Sequence, residues 1–170
     1  MARHSATATA QEAPLLTEFL ALGPDERWLD QSPETMLATF PWFHGEAFDR
    51  IVEDLLALGP EPVVAEGFRL LPDLVAPLIP ERSHAVWLLP TPEFRRGVFD
   101  SRGGPSWSFI GTTSRPEQAL ENLLVRDTMF TARLAQDTAR LGLEVVRVDG
   151  SVSEDALVER LADTFGYAEP

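Results

Sequence analysis

The residues best suited to chemistry are one acid and a group of arginines. Glu66 follows the apolar run Pro62-Val63-Val64-Ala65 and precedes Gly67. A carboxylate at the end of a buried strand can hold Mg²⁺, directly or through water, or accept a proton from a substrate hydroxyl. An acid that simply ends a strand at the surface gives the same local pattern. Arg95, Arg96, Arg102, Arg115 and Arg126 cluster around a glycine-containing segment, in a chain with a formal net charge of -13. Guanidinium forks suit phosphate oxygens, and a loop carrying them can close over a polyphosphate. Arg102, Arg115 and Arg126 are the phosphate-binding candidates. Arg115, Asn122, Arg126, Arg133 and Arg140 share one helical stripe, on which Asp137 can pair with Arg133 and Arg140.

Composition removes other chemistries. All 14 basic residues are arginine, so Schiff-base catalysis and a P-loop lysine are impossible within this chain. There is no cysteine, which excludes disulfides and thiolate metal sites. His4, His44 and His84 lack metal-ligand spacing, and no Ser/His/Asp arrangement can be read. The acidity argues against a nucleic-acid polymer or an anionic membrane as partner. No apolar run approaches the ~20 residues of a membrane span, and MARHSATATAQEAP does not read as a secretory signal. The expectation is a soluble cytoplasmic protein with a flexible tail over 1–12 and a single domain over 13–170.

The elements that would position these residues follow from periodicity and punctuation. Leu15 to Leu22, Ser32 to Ala38 and Phe48 to Leu58 predict helices, stopped by Gly23-Pro24 and Gly59-Pro60 at the first and last. Val63–Ala65 predicts a strand, Leu70–Ile79 a short helix with Pro72 in its first turn, and His84–Leu89 a second strand closed by Pro90. Thr91-Pro92-Glu93 is a helix start running to about Phe99. Asp100–Thr113 predicts a long polar loop, the lid region of about 100–115. Ser114-Arg-Pro-Glu117 reads as a capping box opening a helix to Leu141, with Gly142 as its stop. Leu143–Val148 predicts a third strand, and Ser151-Val-Ser-Glu154 caps a last helix whose Leu157, Leu161 and Phe165 face the core. Strands alternating with helices imply a parallel sheet that binds ligands beyond its carboxyl ends, at Glu66-Gly67, Pro90-Thr91 and Asp149-Gly150.

Through VVAEGFRLLPDLV, AVWLLPTPEFRR, TSRPEQALENLLVRD with its Arg126-Asp127 pair, and LEVVRVDG, the chain resembles the later part of P-loop kinases. It is similar to nucleotide-kinase-like and antibiotic-phosphotransferase-like proteins. The resemblance implies an incomplete P-loop NTPase-like three-layer α/β domain with a short parallel sheet of about three strands and helices on both faces. It implies Glu66 as catalytic or Mg²⁺-binding acid, and Arg102, Arg115 and Arg126 as lid-type phosphate ligands. It implies ATP and Mg²⁺ as cofactors of the complete family, with a small molecule or nucleotide as substrate. No G-x-x-x-x-G-K-[ST] occurs, so ATP binding by this chain is expected to be weak and phosphotransfer absent from it alone. The alternative is a non-catalytic binding or interaction module. In the family order Val63–Ala65 and Ala85–Leu89 run parallel about a missing central strand, so a homo-oligomer or a partner completing the sheet is expected.

Overall fold

Proline sets where most of this chain turns helical. Helices α1 (Pro14–Ala21), α2 (Pro24–Trp28), α3 (Pro33–Thr39), α5 (Pro72–Val75), α6 (Pro92–Ser101) and α7 (Pro116–Leu141) all carry proline in the first turn. There its fixed φ is pre-organised and its missing N–H costs no hydrogen bond. Only α4 (Phe48–Leu56) and α8 (Glu154–Thr164) begin otherwise. This is a computed structural model, and it describes residues 11–167; most of the tail expected over 1–12 lies outside the described residues.

Caps complete the helix starts. Ser32, Thr91 and Ser153 each accept a backbone N–H from the residue three positions on. Helix α1 is capped from afar: Leu15 and Leu16 donate to the two oxygens of Glu46 at 2.8 and 2.7 Å. The turn presenting Glu46 needs Gly45, whose φ is 78° and whose added Cβ would lie 2.5 Å from Leu74. For α7 the expected capping box does not form. Its N-cap is Arg115, without a side-chain bond, and the Ser114 amide instead donates to Asp25 Oδ1 at 2.7 Å. A tertiary contact from α2 has replaced the local one.

The architecture is mixed α/β and mostly helical. Strands β1 (Val86–Pro90) and β2 (Glu144–Val148) pair in parallel, with Trp87 opposite Val145 and Leu89 opposite Arg147. Helix α7 crosses one face of this pair and is the spine of the core. Its Ala119, Leu120, Leu123, Leu124 and Phe130 pack against Trp28, Phe40, Phe43, Leu71, Phe99 and Ile110. Phe43 and Phe130 stack with centroids 3.6 Å apart. Trp87 and Leu89 are buried toward the core, and the Trp87 indole donates to Leu70 O at 3.0 Å.

Three expectations need correction. The three-stranded sheet is not seen: residues 62–66 form no strand, and Val63 and Val64 are 51% and 75% exposed. Pro60 and Pro62 remove two ladder donors there, and three apolar residues with no covering layer gain too little to hold a strand. Neither a vacancy between that segment and β1 nor direct pairing occurs among the described residues. The polar lid is not open either. Residues 100–113 contain the end of α6 and two 3₁₀ turns, and they deliver Ile110, fully buried, and Trp107 and Phe109 to the core. Spaced aromatics among Gly, Pro and Ser carry no periodic signal, yet they anchor the segment. Finally, Leu157 and Leu161 of α8 and Phe165 just after it are only half-buried, because a two-stranded sheet offers little surface to cover them.

Ile110→Ala should therefore cost about 2–5 kcal/mol in urea unfolding. Val64→Ala should change stability by less than about 0.5 kcal/mol. Equal, small effects would mean that the 100–113 segment is not part of the core.

Candidate functional site

Thr91 follows β1 directly and caps α6, which fixes the first turn of that helix against the end of the strand. Its amide donates to Val148 O at 2.9 Å, tying that junction to β2. One turn on, Arg95 projects toward α7 and meets Asp127. The residues of α7 that face the sheet on this side are Asp127, Thr128, Thr131, Ala132 and Ala135. Between them and Leu89, Pro90, Val145 and Arg147 lies an open cleft of about 390 Å³. Its lining includes the Pro90–Thr91 end of β1, where parallel sheets commonly hold ligands.

Asp127, which lines the cleft, belongs to a buried charge cluster. Arg126 and Asp127 have relative exposures of 7% and 5%. Arg126 donates from Nε and Nη2 to Asp127 Oδ1 at 3.1 and 2.7 Å. The other oxygen, Oδ2, stands 3.2 Å from Arg95 Nε, an ion pair by distance that is not aligned as a hydrogen bond. Arg126 is further enclosed by Trp28, Phe40 and Phe43, whose ring centroids lie 5.6, 4.9 and 5.2 Å from its guanidinium carbon. Its Nη1 is buried with no hydrogen-bond partner, so the ring faces and Asp127 are what compensate its charge.

At the rim the arginines are freer. The Arg95 side chain is 38% exposed and engages Asp127 through Nε, so its terminal nitrogens are not committed to that pair. Arg147 is exposed and forms no ion pair among the described residues; its charge contributes weakly to holding Asp149 below the usual carboxylate range, after the Ser151 hydroxyl and amide. Arg95 and Arg126 thus meet Asp127, and Arg147 lines the same cleft, within a strongly acidic chain. The threonine hydroxyls are partly engaged: Thr128 donates to Leu124 O and Thr131 to Asp127 O, both at 2.9 Å, and Thr91 accepts from the Phe94 amide.

The four residues singled out from the sequence fall in different places. Glu66 is exposed in an irregular segment, and among the described residues no ion pair joins it to Arg102, Arg115 or Arg126. Arg102 lies exposed over the Trp107 ring at 5.3 Å. Arg115 is exposed at the N-cap of α7, close enough to Asp25 for its charge to reach that carboxyl. Arg126 alone adjoins the cleft, on its core side and occupied by Asp127. Arg133 and Arg140 pair with Asp137 at 3.8 and 3.0 Å, as their spacing predicts. In the sequence Arg95 stands out only as one of the clustered arginines, and neither Asp127 nor Arg147 is marked as a site residue. A signal was present: Asp127 falls on the sheet-facing stripe of a long helix, where an acid requires a cation. Among the described residues no group of three or more His, Asp or Glu is placed to hold a metal ion. No helix among them is long and apolar enough to cross a membrane.

Comparisons with protein-family models, curated proteins and solved structures give no match for this chain.

Two outcomes follow from this geometry. Asp127→Ala leaves the Arg126 charge buried and unpaired, so it should destabilise the protein by about 3–5 kcal/mol in urea unfolding; a loss below about 1 kcal/mol would show that Asp127 does not hold Arg126. The Ser114 hydroxyl and then its amide hold the Asp25 carboxyl below its ordinary value. A folded-state value below the unfolded one stabilises the protein above the unfolded value, and this is lost as pH falls through the folded one. The stability gap between the protein and Asp25→Asn should therefore narrow as pH drops below about 4. A gap that widens on acidification would contradict the contact.

Proposed function

We propose that this chain is a non-catalytic binding module that takes a small anionic molecule in the cleft between α7 and the β1–β2 pair. The observation that carries this reading is the presence of two arginines, Arg95 and Arg147, with donors directed to no carboxylate hydrogen bond, beside a cleft of about 390 Å³. That volume sits near the lower end of the ~300–1,000 Å³ typical of small-molecule sites. In a chain of net charge -13, a local excess of guanidinium is the feature an anion would seek. Asp127 keeps Arg126 inside, and Arg126 in turn makes burial tolerable for Asp127, so the site is pre-organised by the core.

The phosphotransferase-like reading is the second one. What favours it is the order of parallel β1, helix α6, the 100–113 segment, helix α7 and β2, which is the order implied by the resemblance, together with the Arg126-Asp127 pair. In that reading the phosphate ligands would be Arg102, Arg115 and Arg126, Glu66 would serve Mg²⁺, and ATP would bind through a part that this sequence lacks. Arg126 would then have to leave Asp127, at the cost of two charge-assisted hydrogen bonds.

Titration with inorganic phosphate, followed by backbone amide NMR, separates the two. Saturable shifts at residues 89–95 and 145–147, weakened about tenfold in Arg147→Ala, are expected for the cleft. Shifts confined to the surroundings of Arg102 and Arg115 would support the second reading. Calorimetry with Mg-ATP should give no micromolar dissociation constant; finding one would restore phosphotransfer as the leading account.

A further inference from the structure

We infer that the ligand of the cleft is an aliphatic monoanion of medium chain length, a carboxylate head on an apolar chain; this rests on the anion-binding reading above. The polarity of the cleft runs lengthwise. Helix α7 turns into β2 through Gly142 and Leu143, so the helix and strand lie antiparallel along the cleft. Asp127 and Arg147 therefore belong to one end, with Arg95, while Ala135 and Val145 belong to the other. From Asp127 to Ala135 is eight residues of helix, about 12 Å at 1.5 Å per residue. One end is charged, with Leu89 beside Arg147, and the walls toward the other are Ala132, Ala135 and Val145.

The head group follows from charge. Arg95 already stands 3.2 Å from Asp127 Oδ2, so any anion gripped by Arg95 comes close to that carboxylate. A singly charged head meets less repulsion there than a phosphate dianion. The hydrogen-bonding capacity of the first turn of α6 is not what selects the anion, because Thr91 already takes the Phe94 amide. The body follows from the walls. The cleft residues are aliphatic, threonine, proline or charged, with no aromatic ring among them. A nucleobase would find no stacking face, whereas an alkyl chain finds methyl and methylene groups along its length.

Calorimetric titration of the whole chain with octanoate, acetate and inorganic phosphate tests this. Octanoate should bind at least about tenfold more tightly than acetate or phosphate, the gain from burying two methylenes. Ala135→Glu, at an exposed helix position, should abolish that advantage. Circular dichroism of that variant verifies its fold. Acetate or phosphate binding as tightly as octanoate would overturn the aliphatic class and leave the anion-binding reading standing. Octanoate binding untouched by Ala135→Glu would place the chain outside the cleft and overturn the inference. Failure of all three anions to bind would overturn both.

Discussion

A buried guanidinium beside a buried carboxylate is the constraint around which this molecule is arranged. Arg126 and Asp127 are consecutive on α7, so their side chains leave the helix about 100° apart and would not ordinarily face each other. Here Arg126 is drawn back across the helix until two of its nitrogens reach a single oxygen of Asp127. Desolvating two such charges is expensive, and their attraction offsets that cost only when geometry and hydrogen bonding are good. The rings of Trp28, Phe40 and Phe43 add favourable quadrupole contacts and keep water out. The pair therefore fixes how α2, α3 and the turn after it approach α7. Those elements supply the three rings.

The same pair divides α7 into two working faces. Inside lies the aromatic and leucine core, completed by Phe130 stacked on Phe43 and by Ile110 from the 100–113 segment. Outside, toward the sheet, lies the cleft, where Asp127 shows its second oxygen to Arg95. Asp127 is thus common to both faces: one oxygen neutralises a core charge and the other steadies a rim charge. The small β1–β2 pair suffices because α7 covers one face of it and Trp87 is hydrogen-bonded to Leu70. Electrostatically, the overall acidity opposes anions at long range, while the local arginine excess favours them at contact. Such a cleft discriminates by fit at short range more than by steering.

Much of the local structure was legible because proline and glycine mark it. Helices α3, α5, α6 and α7 are marked by their opening proline or a cap beside it and α1 by apolar spacing and its Gly23-Pro24 stop, whereas the five residues of α2 are too few for a periodic signal. Gly142 and Thr91 ended and began their helices as expected, and β1 and β2 were recognised within a residue or two. What the sequence concealed was tertiary. Val63-Val64-Ala65 has the composition of a strand, but it pairs with neither edge of the β1–β2 sheet. Ser114 satisfies a local capping pattern, but Asp25, 89 residues away, holds its amide. The 100–113 segment reads as polar because its three core residues are scattered irregularly. Of the site, Arg126 was visible as a cation on a helix stripe; that it points inward, and that Arg95 and Arg147 line the cleft instead, depends on packing that no spacing rule contains.

The division between an inward Arg126 and outward Arg95 and Arg147 is most directly tested by side-chain NMR of the arginine Nε–H groups during an octanoate titration. The account predicts a slowly exchanging Arg126 resonance that does not move, and Arg95 and Arg147 resonances that shift together and saturate. An Arg126 resonance that exchanges as fast as exposed arginines, or that shifts while Arg95 and Arg147 stay fixed, would contradict it.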